Sequence, residues 1–220
     1  MKAIITGATG MVGKGVLLEC LDDPRVEKVL VINRSELGIK HPKIMELIHK
    51  DFSEFSSVKT ELSAYDACFH CMGVSSAGMK EEKFTELTYG ISEALATTLF
   101  SLNSKMVFTY VSGSGTDSSE KGNTMWARVK GKTENMILNM GFKDAYAFRP
   151  GAILPERGIK SKTQLYNVLY ILLRPLFPLM KRMKSVTTTS ILGRAMINLY
   201  FEPQDLKHLE GRDMNWLGEP

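Results

Sequence analysis

Cysteine, long apolar runs and blocks of like charge are all scarce in this sequence. Three cysteines (Cys20, Cys68, Cys71) in 220 residues cannot build a disulfide framework. That excludes the small cross-linked secreted scaffolds and makes the cytoplasm the expected compartment. No apolar stretch is suited to crossing a bilayer, which takes about 20 mainly apolar residues. The most apolar segment, 165–184, is interrupted by Arg174, Pro175 and Pro178. The first apolar stretch starts at Ala3 and is cut by Gly7 and Gly10, so no secretory signal is expected. The formal charge of +4 is carried by Lys and Arg interleaved with Asp and Glu, so no nucleic-acid partner is expected. Internal repeats and low-complexity tracts are missing too.

What is present is ordinary globular composition, 44% hydrophobic and 24% charged, in a chain long enough to bury one sizeable core. Strand and helix patterns alternate. Strands are expected at Lys2–Thr6, Val26–Asn33, Lys43–His49, Tyr65–Met72, Met106–Ser112 and Ala145–Arg149. Several are continuous apolar runs, as in Val29–Ile32, which suits strands buried on both faces of a parallel sheet. Helices are expected at Met11–Leu21, Lys80–Leu102, Thr124–Met140 and Ile191–Tyr200. The second of these carries Phe84, Leu87, Ile91, Leu95, Leu99 and Leu102 at three- and four-residue steps, one apolar stripe. The Cys68-x-x-Cys71 pair falls within an expected strand, where residues three apart face opposite ways, so no metal site is expected.

The first strand and first helix are joined by Thr6-Gly7-Ala8-Thr9-Gly10-Met11-Val12-Gly13. Gly7 permits a sharp exit from the strand, Gly10 lets backbone approach a pyrophosphate, and Gly13 allows the helix to pack close against the sheet. Free N–H groups and the positive end of the helix dipole then hold phosphate. In this strand–turn–helix context the pattern reads as a dinucleotide cradle in a Rossmann-type α/β fold, a doubly wound parallel sheet. Residues 1–150 form the nucleotide-binding core. Residues 151–220 are expected as a small helical C-terminal lobe integrated with it, with 165–184 as a lid or core piece rather than a membrane-surface element.

Readers of a free ribose 2′-hydroxyl carry an acid at the end of the second strand. Here that strand ends in Asn33-Arg34-Ser35, and the Arg34 guanidinium suits a 2′-phosphate, so NADP(H) is favoured over NAD(H).

With the glycine turn, Asn33-Arg34, Asp51-Phe52, Cys71-Met72-Gly73, Val111-Ser112-Gly113-Ser114, Lys130 and Phe148-Arg149-Pro150-Gly151, the chain resembles the atypical short-chain dehydrogenase/reductase superfamily. Within it the similarity is to the NAD(P)H-binding group of NmrA-like, Tat-interacting oxidoreductase-like and epimerase-like proteins, over roughly residues 1–200. The resemblance implies that Gly7, Thr9, Gly10, Met11, Val12 and Gly13 hold phosphate. It also implies that Asn33 and Arg34 read the ribose, and that Asp51 and Phe52 meet the adenine. Cys71, Met72 and Gly73 would border ribose and nicotinamide, and Lys130, Arg149 and Pro150 would complete the cofactor residues. Read alone, Asp51 serves equally as the cap of a following turn.

The superfamily pairs a Tyr-x-x-x-Lys helix with an upstream Ser. The hydroxyl exchanges the substrate proton, while the lysine lowers its pKa and bonds the nicotinamide ribose. Ser112 and Lys130 match, but Trp126 stands at the tyrosine position, and an indole is a donor with no usable pKa. Ser112, Ser114, Asp117, His70, Tyr89, Tyr166 and Tyr170 are the candidate replacements. Arg149 and Arg157 could meet an anionic substrate.

Two functional readings are compatible with these residues. One is an NADPH-dependent reductase or epimerase-like oxidoreductase on a small molecule, the direction in which the superfamily points. The other is an NADP(H)-binding redox sensor or regulator, which the loss of tyrosine favours. The sequence assigns no substrate and no oligomeric state.

Overall fold

A computed structural model describes residues 1–160, 173–181 and 183–219. The expected alternation is realised as a seven-stranded parallel sheet. Its strands are β1 (Lys2–Thr6), β2 (Lys28–Asn33), β3 (Ile44–Ile48), β4 (Ala67–His70), β5 (Val107–Val111), β6 (Asp144–Arg149) and β9 (His208–Glu210). They lie in the order β3-β2-β1-β4-β5-β6-β9. The order runs outward in both directions from β1 and β4, so a crevice opens beyond their carboxyl ends, where ligands of open α/β sheets bind. This is the Rossmann-type fold.

Side chains alternate across each strand, as the pleat requires. Ala3, Ile5, Val29, Val31 and Phe69 face one core layer. Ile4, Leu30, Ile32, Cys68 and Phe108 face the other. The first layer is covered by α1 (Met11–Asp22) and by Thr189–Phe201, through Val16, Leu17, Leu192 and Met196. The second is covered by Ile91–Leu102, by Met125–Leu138 and by the aromatic loop residues Phe52 and Phe55. Cys68 and Cys71 fall on opposite sides of the sheet, so they cannot share a metal ion or form a local disulfide.

Among the described residues the remaining α-helices, in chain order, are α2 (Lys59–Leu62), α3 (Glu81–Thr85), α4 (Ile91–Leu102), α5 (Met125–Leu138), α6 (Phe177–Met180), α7 (Thr189–Phe201) and α8 (Gly211–Leu217). The single long helix expected over Lys80–Leu102 is broken by a π turn at Glu86–Gly90. A wide turn holds an extra residue and rotates the helix beyond it. As a result Thr88 and Ser92 are buried, whereas Leu87 and Ile91 of the expected stripe are only half-buried and Leu102 is exposed.

After residue 150 the chain supplies strands as well as helices. β7 (Ala152–Leu154) and β8 (Val186–Thr188) pair parallel in a small second sheet, and β9 joins the edge of the main one beside β6. These three-residue strands are too short for alternation to show in sequence. Residues 165–172 and 182 of the apolar segment 165–184 lie outside the described residues, Tyr166 and Tyr170 included. Near its described end Leu176, Leu179 and Met183 are exposed. No described helix is long and apolar enough to cross a membrane.

Candidate nucleotide-binding and proton-transfer site

The β1–α1 turn is built by glycine. Gly7 has φ +76, and a Cβ there would lie 2.8 Å from the Cys71 carbonyl and the Met72 nitrogen. The turn is therefore pressed against the end of β4, and only glycine meets both demands. A Cβ on Gly13 would lie 2.4 Å from the Gly7 carbonyl oxygen. The close approach that Gly13 allows is thus to the turn itself rather than to the sheet. Gly10 differs. Its added Cβ would meet only the Gly7 oxygen, at 3.2 Å, leaving its outer side open.

Gly10 is the N-cap of α1, and Lys14 N–H donates the first intrahelical bond, to the Gly10 carbonyl, at 2.9 Å. The N–H groups of Met11, Val12 and Gly13 precede it, as helix starts require. Gly73 and Gly113, at the ends of β4 and β5, also have nothing within 4 Å of an added Cβ. A glycine-rich turn, opening on a helix N-terminus and flanked by two bare glycines, fits a dinucleotide.

The other expected contacts divide between open and engaged residues. Asn33 ends β2 and is buried, while Arg34 beside it is exposed and has no partner among the described residues. The Asp51 carboxylate accepts from the backbone N–H and hydroxyl of Ser53, at 2.9 and 2.5 Å, and those bonds lower its pKa. That is the turn-capping arrangement. Phe52 is buried among His49 and Phe55, with its ring edge-on to the Phe55 ring at 5.6 Å. Cys71 lies half-buried beside the turn, its N–H bonded to the Thr6 carbonyl, and burial pushes its thiol up to about 12.

The expected proton-transfer group is locked into another network, whose centre is a residue that sequence reasoning passed over. Glu134, on α5, is fully buried. It accepts from the Ser112 hydroxyl and from Arg149, at 3.0 Å from Nε and 2.5 Å from Nη2. The Arg149 guanidinium also donates to the Ser118 hydroxyl. Arg149, expected among the cofactor residues, instead neutralises a buried carboxylate, as a charge without exposure demands. Ser112, expected to hold a substrate oxygen, has its hydroxyl spent inside the protein. The signal for Glu134 was its place four residues after Lys130, one helical turn along the same face.

Lys130 donates to the Ser112 carbonyl at 2.5 Å; burial lowers its pKa, and the Glu134 charge opposes that. Trp126 occupies the tyrosine position one turn before it, and its ring lies over Gly115, 3.7 Å from an added Cβ.

Three of the candidate replacements, His70, Asp117 and Tyr89, are also engaged. His70 is buried between the Thr6 hydroxyl at Nδ1 (2.6 Å) and the Ser92 hydroxyl at Nε2 (2.9 Å). Because Ser92 donates to the Thr88 carbonyl, Nε2–H donates to Ser92 and Nδ1 accepts from Thr6. The ring is neutral, with burial lowering its pKa to about 4. It is a satisfied core histidine. Asp117 binds Ser119 and the Gly122 N–H, which lower its pKa and keep it ionised. Tyr89 donates to Glu93 at 2.8 Å. Arg157 pairs with Glu19 and Asp22 of α1 and so is not free for an anion. Ser114 is exposed, with its N–H on the Pro150 carbonyl and its hydroxyl unpartnered among the described residues.

The sequence profile of the NAD dependent epimerase/dehydratase family matches residues 3–124, more than half of the chain. The chain belongs to that family. It is an NAD(P)-binding member of the atypical short-chain dehydrogenase/reductase superfamily with an epimerase-like fold. The match covers the glycine turn and strands β1 to β5 and stops before Trp126 and Lys130.

The chain is 28% identical over 161 residues to Protein FMP52, mitochondrial, of Candida albicans, covering 71% of this chain and 69% of that one. Uronate dehydrogenase from Agrobacterium tumefaciens superposes with a TM-score of 0.69 at 14% identity, covering 96% of this chain and 76% of that one. A monomeric L-threonine 3-dehydrogenase from a metagenome superposes with a TM-score of 0.70 at 13% identity, covering 94% and 76%. At such identities the two structures share the fold.

The expected cytoplasmic location is corrected by the relatives, which are named as mitochondrial proteins. Free cysteines separate reducing from oxidising surroundings and do not tell one reducing compartment from another.

Proposed function

We propose that this protein binds NADP(H) across the β1–α1 turn and the end of β2, and works as a nucleotide-responsive binding protein rather than as a tyrosine-dependent reductase. The observation that carries this reading is the Ser112–Glu134–Arg149 lock beside Trp126. Where the superfamily places a hydroxyl pair facing substrate, this chain has an indole and a serine turned into the core. Arg34, exposed and unpaired among the described residues, supports the preference for a 2′-phosphate. Bound nucleotide would supply hydride chemistry, and this chain's part is to hold it and report its presence to a partner.

A second reading keeps the enzyme, as an NADPH-dependent reductase or epimerase-like oxidoreductase on a small molecule. It is favoured by Ser114, whose free hydroxyl borders a cavity lined also by Gly151, Lys184, Ser185 and Arg212. No nucleic-acid partner and no membrane association belong to either reading.

Calorimetric titration with NADPH and NADH, followed by NADPH consumption over a panel of aldehydes and ketones, separates the two. Micromolar binding, lost in Gly10→Val with the fold intact, is expected, together with no turnover of any carbonyl. Turnover by the wild type would move the protein to the second reading. Trp126→Tyr returns a hydroxyl one turn before Lys130, and is expected to bring measurable carbonyl reduction where the wild type has none.

A further inference from the structure

The acid that sequence reasoning finds missing at the end of β2 is present in space, supplied by the neighbouring strand. Glu46 sits in the middle of β3, in register with Val31 of β2. Its carboxylate reaches over to the loop after β2, where Oε1 accepts from the Leu37 N–H at 2.5 Å and from the Asn33 side-chain amide at 3.3 Å. The Asn33 backbone is tied to the same strand, because its carbonyl accepts from the N–H of His49, just after β3, at 2.8 Å. Arg34, Ser35 and Glu36 are the exposed span between these anchors.

An acid in this region that served a ribose 2′-hydroxyl would present its oxygens to the crevice. Glu46 instead spends one on a backbone N–H and an amide. Bonds to a carboxylate are stronger than those between neutral groups, so this is the firmest tie the loop has to the sheet among the described residues.

We infer that Glu46 is a positioning residue for cofactor selectivity: by tying Leu37 and Asn33 to β3 it closes the loop that carries Arg34, and so holds that guanidinium where a 2′-phosphate is read. The inference rests on the NADP(H) reading above. It assigns to Glu46 no contact with the nucleotide. A long cation on an untethered loop loses its grip through the cost of ordering it, whereas a tethered loop carries that cost in the unliganded protein. NADH lacks the 2′-phosphate, so its binding is insensitive to the tether.

The test uses the intact protein with Glu46→Ala and Glu46→Gln, reading NADPH and NADH dissociation constants by calorimetry and amide hydrogen exchange at Leu37 without nucleotide. Glu46→Ala is expected to weaken NADPH about tenfold while NADH stays within about twofold, and to speed Leu37 exchange about tenfold or more. Glu46→Gln keeps an acceptor oxygen and is expected to stay within about threefold of wild type for both nucleotides. Equal weakening of NADPH and NADH by Glu46→Ala would make the residue merely structural and overturn the inference. Tighter NADPH binding in Glu46→Gln would overturn it too, since the carboxylate would then be acting on the phosphate by repulsion. A wild type that does not prefer NADPH removes the Arg34 reading itself. Unchanged Leu37 exchange in Glu46→Ala breaks the tether while leaving that reading in place.

Discussion

The two halves of the crevice are built on opposite plans. At the β1–β2–β4 end the protein removes side chains: Gly7 and Gly13 let the turn fold tightly on its own backbone and on the end of β4, Gly10 and Gly73 leave open space, and Arg34 stands exposed. At the β5–β6 end it fills the space with polar groups that satisfy one another, Ser112 and Arg149 on Glu134, and Lys130 on the Ser112 carbonyl. A cradle for phosphate needs unsatisfied donors. A proton-transfer site needs a hydroxyl whose bond to its neighbours can be exchanged for one to substrate. Here the Ser112 hydroxyl is bonded to Glu134, and Trp126 carries no hydroxyl. The family profile ends at the same divide, matching residues up to 124.

The largest effect that would break this contrast is at Glu134. Its removal leaves Arg149 without its buried partner, and breaking such a pair costs roughly 3–5 kcal/mol. Urea unfolding of Glu134→Ala should show a loss of that order, with nucleotide affinity preserved in whatever fraction stays folded. A loss below about 1 kcal/mol would mean that the network does not act as one structural unit.

On the nucleotide side, Gly13→Ala sets a methyl against the Gly7 carbonyl and should cost about 2 kcal/mol as well as nucleotide binding. Gly10→Val, by contrast, should spare the fold and lose binding, so comparing the two separates the turn's shape from its openness.

Next comes His70, whose pKa burial lowers from 6.5 to about 4. Its neutral form is the native one. Its contribution is therefore complete above the unfolded value and drains away as pH falls from 6.5 towards 4, about 2 kcal/mol being gone by pH 5. Urea midpoints at pH 7 and pH 5 should fall further apart in the wild type than in His70→Gln. Equal shifts would show that the imidazole is not held neutral.

The smallest effect is expected from Arg34→Ala, about 1.4 kcal/mol or a tenfold loss of NADPH preference by calorimetry. An unchanged ratio of NADPH to NADH affinity would remove Arg34 from recognition.

Much of the fold was legible because its signals are local. β1, α1, β2 and the glycine turn arise from apolar runs and residues with special backbone freedom, and their observed bounds differ from the expected ones by two residues or fewer. Lys80–Leu102 shows where locality fails. The 3.6-residue stripe picked Leu87 and Ile91, and the π turn at Glu86–Gly90 moved burial to Thr88 and to Ser92, whose hydroxyl bonds His70. β9 was invisible as well, since three residues at a sheet edge carry no periodicity. In the site, the glycines and the Trp126 departure were readable in order along the chain. Glu134 and Glu46 were not, because each takes its meaning from partners nine or more positions away, Arg149 and Ser112 for one and Leu37 and Asn33 for the other.

The sequence by itself determined that this is a parallel α/β nucleotide-binding protein lacking the usual tyrosine. Periodicity, glycine and the chemistry of single side chains are properties a residue carries wherever it is placed. Only the tertiary structure decided which polar groups remain free. Burial penalises an ionised or hydrogen-bonding side chain without a partner, and that partner is chosen by the packing of strands and helices rather than by position in the chain.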